Sequence, residues 1–462
     1  MVPLSLKYFA GTVSIEGLQK SSEESVTLRR KLPDFLWDAS NACFRVPASS
    51  YARLLCSLKD TGLAYDDRAC AGWSLQVHAD YLTPSRAYQT EALNAWQRQD
   101  SRGVVVLPTG AGKTRVAQLA IEATGQNALI VAPTIDLVAQ WRNVLQACLD
   151  VPIGMVGGGT YELEAVTVST YDSAHNHAEH WGNRFGLLVF DECHHLPSPG
   201  YSQIAWLNLA PYRLGLSATP ERADGGHQQF EQLIGPVVYR KEVVDLEGGF
   251  LAPYETERIY VELSEDEEHA YQHARETYLR FLRTQGIRMA HPSGWGRFVR
   301  AATQSDEGRE ALKAYRTQKS LALGAEAKQA QVQRLLQRHA NDKTLVFTND
   351  NPTAYHLSTQ LLIPVITHQT LLRERTQILT GLADGIFHAV VTSRVLNEGI
   401  DLPEVNIAIV VSGTGTVREH VQRLGRVLRP RPDKTARLYE LVTRQTHETR
   451  TSERRRAHIA YG

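Results

Sequence analysis

The sequence predicts an α/β protein with two parallel sheets in tandem, and three observations carry that expectation. Apolar, β-branched runs alternate with helical stretches from residue 81 to about 245, a helical interval interrupts them from 246 to 318, and the alternation resumes from 319 to 462. Strands of a parallel sheet are buried on both faces, so they read as continuous apolar runs between amphipathic helices. A chain of 462 residues is long enough for about three domains.

Taken in order, residues 1–80 read as a small α+β module, with a strand from Tyr8 to Ile15 and a helix from Ser50 to Lys59. The first alternating region contributes "VVVL", "ALIVA", "AVTVST", "GLLVF" and "RLGLS". Lys113, Thr134, Asp191 and Ser217 follow the carboxyl ends of these runs, where open α/β sheets bind ligands. In the interruption, Ser264 and Glu267 form a capping box, and Tyr271, Ala274, Tyr278 and Phe281 make one apolar helical stripe. The loop "TQGIRMAHPSGWG" precedes further helix around Glu310 to Arg316. A second sheet then reads from "TLVFT", "IPVIT", "HAVVTS", "NIAIVVS" and "RLYELVT".

Lys+Arg and Asp+Glu both number 50. A balanced chain is unlike a histone or a basic tail, although a local basic groove can still bind phosphates. Five cysteines without CxxC spacing suggest free thiols in a reducing compartment and no structural zinc. Cys193, His194 and His195 are consecutive, and consecutive residues do not converge on one tetrahedral ion. The start of the chain has no signal-peptide pattern, and no apolar run reaches the roughly 18 residues of a membrane span. These features suggest a soluble, cytoplasmic protein.

The chemistry is concentrated in "RGVVVLPTGAGKTRVAQLAIEA". A buried strand runs into a glycine loop and then a helix. Gly110 and Gly112 let backbone amides close on phosphate oxygens, and the helix N-terminus adds donors and its dipole. Lys113 can reach the β- and γ-phosphates, and the Thr114 hydroxyl can ligate Mg²⁺. The strict phosphate loop starts with glycine where Leu107 stands, so this is the looser T-G-x-G-K-T form. "RFGLLVFDECHH" supplies the acidic partners: Asp191 to hold the metal, Glu192 to orient or deprotonate a water.

Far downstream, "QRLGRVLRP" carries Arg423, Arg426 and Arg429. Alone, these read as a solvated basic face. Given a triphosphate site they acquire a target, since an arginine finger is worth roughly 10³–10⁵ in rate. Arg426 and Arg429 are the finger candidates, and Arg423 is assigned to bracing the interface.

These stretches occur in the order of the motifs of superfamily 2 helicases, which the chain resembles. "LPTGAGKT" resembles motif I, "APTIDLVAQW" motif Ia, "DECHH" motif II and "LSATP" motif III. "LVFTND", "VLNEGIDLP" and "QRLGRVLRP" resemble motifs IV, V and VI, and "LTPSRAYQTEAL" the adenine-reading segment. "TVSTYDSAHNHAEHWGNRFGLLVFDECHHLPS", "LLIPVITHQT" and "SGTGTVREHVQRLGRVLRP" narrow this to the XPB-type branch, relatives of the translocase subunit of TFIIH.

The resemblance implies a damage-recognition-like domain at 1–80 and RecA-like helicase domains at 81–245 and 319–462. Between them, a DNA-gripping thumb at 246–318 would carry Arg275, Arg280, Arg283 and Arg288. It implies ATP with Mg²⁺, held by Thr109, Gly110, Ala111, Gly112, Lys113 and Thr114 with Asp191. Gln89 would read the base edge with Arg86 nearby, and Gly399, Asp401, Gln422, Arg426 and Arg429 would complete the site from the second sheet. Ser217 and Thr219 would relay closure, and His194 would pair with Gln422. Hydroxyls of Thr134, Ser169, Thr170, Thr348 and Thr392 would follow a phosphate backbone.

The activity implied is ATP-dependent 3′–5′ unwinding of DNA at a duplex with a single-stranded junction, in repair of the nucleotide-excision kind. The alternative is a duplex translocase that opens DNA only with a partner. The family also implies a nuclease partner, and the absence of the long extra segments of eukaryotic members implies a prokaryotic, nucleoid-associated setting. One departure bears on unwinding. The branch's Arg-Glu-Asp trio reads Arg222, Ala223, Asp224 here.

Overall fold

The computed structural model describes residues 3–80, 84–222, 224–242, 245, 254–289, 291, 293–393, 405–412 and 436–456. Residues 1–242 form one compact unit, and the residues described from 254 onward belong to a second.

The first unit opens with a five-stranded sheet of β1 (Leu4–Phe9), β2 (Thr12–Glu16), β3 (Leu36–Asp38), β4 (Cys43–Pro47) and β5 (Tyr65–Asp67). Their order is β3-β4-β2-β1-β5. The single strand expected from Tyr8 to Ile15 is a hairpin. Ala10 and Gly11 take φ of 43° and 80°, the paired positive angles that a tight, twist-compatible hairpin turn requires. Helices Glu23–Lys31 and Tyr51–Asp60 cover this sheet around Leu6, Val13, Ile15, Leu28, Phe44, Leu54 and Leu58.

This amino-terminal module is fastened to the rest of the first unit. The Tyr8 hydroxyl lies 2.8 Å from the Glu179 carbonyl and 3.0 Å from that of Leu207. The Trp73 indole donates to the Asn183 carbonyl at 2.8 Å, and Leu209 is buried in the module's own core.

Eight strands form the next sheet: β6 (Arg102–Val106), β7 (Ala128–Ala132), β8 (Ile153–Gly157), β9 (Thr160–Glu162), β10 (Val166–Thr170), β11 (Leu187–Asp191), β12 (Tyr212–Ser217) and β13 (Val237–Arg240). The order is β13-β6-β12-β11-β7-β10-β8-β9, parallel throughout except for β9 against β8. The five runs legible in the sequence are the five contiguous inner strands. In this order β12 lies between β6 and β11, so the loops leaving these three strands share one edge of the sheet.

In the second unit, β14 (Tyr254–Val261), β15 (Thr344–Phe347), β16 (Val365–Ile366), β17 (Ala389–Thr392), β18 (Ile407–Val410) and β19 (Ala436–Thr443) form an all-parallel sheet ordered β14-β19-β18-β15-β17-β16. The helical interval therefore begins with a strand. Tyr254–Val261 reads YETERIYV, too polar for a buried run, because as the edge strand it pairs only with β19. After β14 come helices Glu265–Thr284, Gly294–Ala302 and Asp306–Gly324, closed around Tyr278, Phe281, Phe298, Ala302 and Ala311. The Ser264–Glu267 capping box is formed.

Behind this sheet, helix Glu326–Arg338 presents the fully buried Lys328, which donates at 2.6 Å to Glu448 Oε2 and at 2.6 Å to the Val411 carbonyl. No helix among the described residues is long and apolar enough to cross a membrane.

Candidate active site

The loop after β6 turns through Gly110 and Gly112, at φ of 85° and 80°, before helix Lys113–Thr124 begins. Both angles lie where side-chain-bearing residues are strained, and at Gly112 the space is closed as well. A Cβ there would sit 2.5 Å from Gln89 Nε2. Lys113 reaches back across the loop, its Nζ 3.4 Å from the Leu107 carbonyl and 3.7 Å from Glu192 Oε1. The Thr109 hydroxyl is buried and has no hydrogen-bond partner among the described residues.

Asp191 ends β11 with 6% of its surface exposed. Its Oδ2 accepts the Trp141 indole N–H at 2.8 Å and its Oδ1 the Glu192 amide at 3.0 Å. Its own carbonyl accepts the Tyr171 hydroxyl at 3.0 Å. Burial, and next the Glu192 charge, raise the Asp191 carboxyl above the usual carboxylate range, while Lys113 and the Trp141 bond act the other way.

Glu192 adopts φ of 47°, a left-handed geometry costing about 1–2 kcal/mol for a residue with a Cβ. Its side chain is held from several sides. Ser217 Oγ donates to Glu192 Oε2 at 3.4 Å, and His194 Nδ1 lies 3.5 Å from the same oxygen. Ser217 also accepts the Thr219 amide at 3.1 Å. The last residue of β12 is thus bonded to the carboxylate after β11, beside the lysine after β6.

Gln89 is hydrogen-bonded at both ends of its side-chain amide. Nε2 donates to the Ala111 carbonyl at 3.0 Å, and Oε1 accepts the Arg86 amide at 2.9 Å. The Tyr88 hydroxyl donates to the same Ala111 carbonyl at 2.7 Å, and Arg86 donates to Tyr88 at 2.9 Å. The segment expected to meet the base is therefore bonded to the Gly110–Gly112 loop through Ala111.

Comparison with known proteins places this geometry. A type III restriction enzyme res-subunit model matches residues 83–222, and the XPB damage recognition domain matches 6–69. The ERCC3/RAD25/XPB C-terminal helicase model matches 307–461. A DNA 3′-5′ translocase XPB2 from Sulfurisphaera tokodaii is 45% identical over 371 residues, covering 80% of this chain and 84% of the relative. The chain belongs to the XPB family.

A DNA 3′-5′ helicase XPB from Kineococcus radiotolerans is 33% identical across 83% of the chain and 62% of that relative. The TFIIH helicase/translocase subunit XPB of Drosophila melanogaster is 25% identical, and this chain spans 45% of it. The Pyrococcus furiosus Hef helicase domain shares the fold at a TM-score of 0.56 and 21% identity, covering 80% of this chain and 97% of that one.

In this XPB-family chain, Arg86, Gln89, Thr109, Gly110, Ala111, Gly112, Lys113, Thr114, Asp191 and Glu192 all lie in the first unit. Gly399, Asp401, Gln422, Arg423, Arg426 and Arg429 lie outside the described residues, as does Ala223. Arg222 binds Asp224 through two nitrogens, at 2.9 and 2.6 Å, and holds that carboxyl well below the usual range.

Three of the hydroxyls expected on a phosphate track are bonded within the chain. Ser169, Thr348 and Thr392 are fully buried and donate to backbone carbonyls. Thr134 and Thr170 cap helices Ile135–Gln146 and Tyr171–Asn176. Arg275, Arg280, Arg283 and Arg288 are exposed.

Trp141 and Tyr171 are site residues that the sequence does not single out. A tryptophan and a tyrosine on amphipathic helices read as core, and both are core, at 3% and 2% exposure. The polar end of each ring, which a buried aromatic must satisfy, is what joins them to Asp191.

Proposed function

We propose that this chain is an ATP-driven motor of the XPB kind, moving 3′–5′ on DNA and separating strands in DNA repair. The observation that carries this is the convergence of Lys113, Glu192 and Ser217 at the ends of three adjacent strands. Phosphate binding, water activation and a relay are bonded into one cluster there.

The γ-phosphate would rest on the loop amides and Lys113. Glu192 would take a proton from the attacking water, and the oxygen of that water would bond to phosphorus as the bridging oxygen leaves with ADP. Thr114 and Asp191 would hold Mg²⁺. The fit is supported by Asp191, since each carboxylate oxygen offers about two lone-pair directions and each accepts one bond from the described residues. When bound, the ion would neutralise charge on the β- and γ-phosphates. Arg426 and Arg429 would stabilise the transferring phosphoryl group, with Gly399, Asp401 and Gln422 alongside. Because Ser217 touches Glu192 and His194 together, a change at the γ-phosphate would move motif III.

A second reading is supported by Ala223 and by the closed Arg222–Asp224 pair. It is a duplex translocase that distorts DNA and opens it only with a partner. A nuclease is the partner class the family suggests, and the nucleoid the expected setting.

ATP hydrolysis measured alone and with duplex DNA, single-stranded DNA and RNA tests the motor. Stimulation by DNA is expected, and equal rates in all arms would sink it. Displacement of a strand from a 3′-tailed duplex, compared with displacement of a triplex third strand, separates the two readings.

A further inference from the structure

We infer that Trp141 is a positioning residue for the metal-holding carboxylate, with Tyr171 as its companion on the backbone of the same residue. This rests on the reading of Asp191 as the Mg²⁺ holder. The indole N–H donates to Asp191 Oδ2 at 2.8 Å. Trp141 is 3% exposed and Asp191 6%, so little water is at hand to replace the bond.

A carboxylate at a strand end can rotate about its terminal torsion, which is broad and roughly two-fold. Here both oxygens are bonded, Oδ2 to the indole at 2.8 Å and Oδ1 to the Glu192 amide at 3.0 Å. The strand end is pinned as well, because the Tyr171 hydroxyl donates to the Asp191 carbonyl at 3.0 Å. The rotation is therefore fixed before any ligand arrives, leaving the second lone pair of each oxygen in a set direction.

The origin of the two aromatic residues explains how the arrangement is built. Trp141 lies two helical turns after the Thr134 cap, on helix Ile135–Gln146. Tyr171 is the first residue of the helix that comes after β10. Each approaches Asp191 from a different connection of the sheet, and neither depends on the other. Partners of this kind, once removed, typically cost ten- to roughly a hundred-fold in metal affinity while the ligand itself remains.

The test is calorimetric binding of ADP with Mg²⁺ and with excess chelator, for the wild type, Trp141→Phe, Tyr171→Phe and Asp191→Asn. For Trp141→Phe, affinity for ADP without metal should match the wild type within about two-fold, and the half-saturating Mg²⁺ concentration should rise roughly ten-fold or more. Tyr171→Phe, which deletes one oxygen atom, should shift the Mg²⁺ dependence in the same direction by less. A merely structural role would weaken binding equally with and without metal. That result, or an unchanged Mg²⁺ dependence in both variants while Asp191→Asn is impaired, would overturn the inference. An unchanged Mg²⁺ dependence in Asp191→Asn would instead overturn the assignment of Asp191 itself.

Discussion

Replacing Lys328 by methionine should destabilise the second unit by about 3–5 kcal/mol, the usual cost of leaving one partner of a buried ion pair without its counter-charge. The substitution keeps most of the aliphatic stem and removes the ammonium. In the native arrangement Lys328 is fully buried and Glu448 is 2% exposed, with 2.6 Å between Nζ and Oε2. Without the cation, Glu448 Oε2 keeps the Thr443 amide at 3.1 Å, a donor that neutralises no charge. The Val411 carbonyl also loses its 2.6 Å donor.

At about 1.4 kcal/mol per decade, the expected loss is a roughly 10²–10⁴-fold fall in the folding constant. Urea unfolding monitored by circular dichroism gives the magnitude. Amide hydrogen exchange in helices Glu326–Arg338 and His447–Arg456 assigns it to this unit. The double variant Lys328→Met/Glu448→Gln should recover at least half, since the amide oxygen can still accept from Thr443 while carrying no charge. A single variant within about 1 kcal/mol of the wild type would refute the reasoning, being the range of an exposed pair. So would a double variant no better than the single.

Three further substitutions address the site. Lys113→Ala should abolish ATP turnover in a phosphate-release assay, and wild-type turnover would mean that the phosphate loop lies elsewhere. Gly112→Ala should weaken nucleotide binding at least ten-fold by equilibrium titration. The left-handed geometry alone costs about 1–2 kcal/mol, and the new methyl group would collide with Gln89; unchanged affinity would contradict both points. Arg426→Ala should bind ATP normally yet hydrolyse it roughly 10³–10⁵-fold more slowly; near-normal single-turnover rates would return that arginine to a solvated face.

How much of the fold is legible in the sequence depends on where residues lie in the sheets. The inner strands of the first helicase sheet, such as Ala128–Ala132, are buried on both faces, so their composition has no other reading. The edge strands β9, β13 and β14 carry Glu162, Arg240, Glu255 and Glu257, and polar residues at an edge are indistinguishable from loop. The hairpin at Ala10–Gly11 is hidden because both flanking strands are apolar enough to merge into one run.

At the site, the glycine spacing announces the turn before helix Lys113–Thr124, since Gly110 and Gly112 both take positive φ. The grip of Gln89 and Tyr88 on Ala111 is not legible, since a glutamine that can meet a base edge can equally meet a carbonyl. The choice depends on how far helix Ala87–Arg98 stands from the loop. Trp141 is hidden for a related reason: its ring belongs to the core and only its N–H to the chemistry.

The anchorage of the amino-terminal module has a mechanical consequence. Between Ala69 and Asp80 the backbone is laced to loops that flank the strands of the eight-stranded sheet: Ala71 N to Asn183 O, Asn127 N to Trp73 O, Leu75 N to Gly125 O and Asp80 N to Cys148 O. At Gly182 a side chain would collide with the Tyr8 hydroxyl. The module is therefore no lure on a slack leash, free to sample DNA apart from the engine. Whatever grips it pulls on the same compact unit that carries Lys113, so a load on the module reaches the Gly110–Gly112 loop through that unit's own bonds.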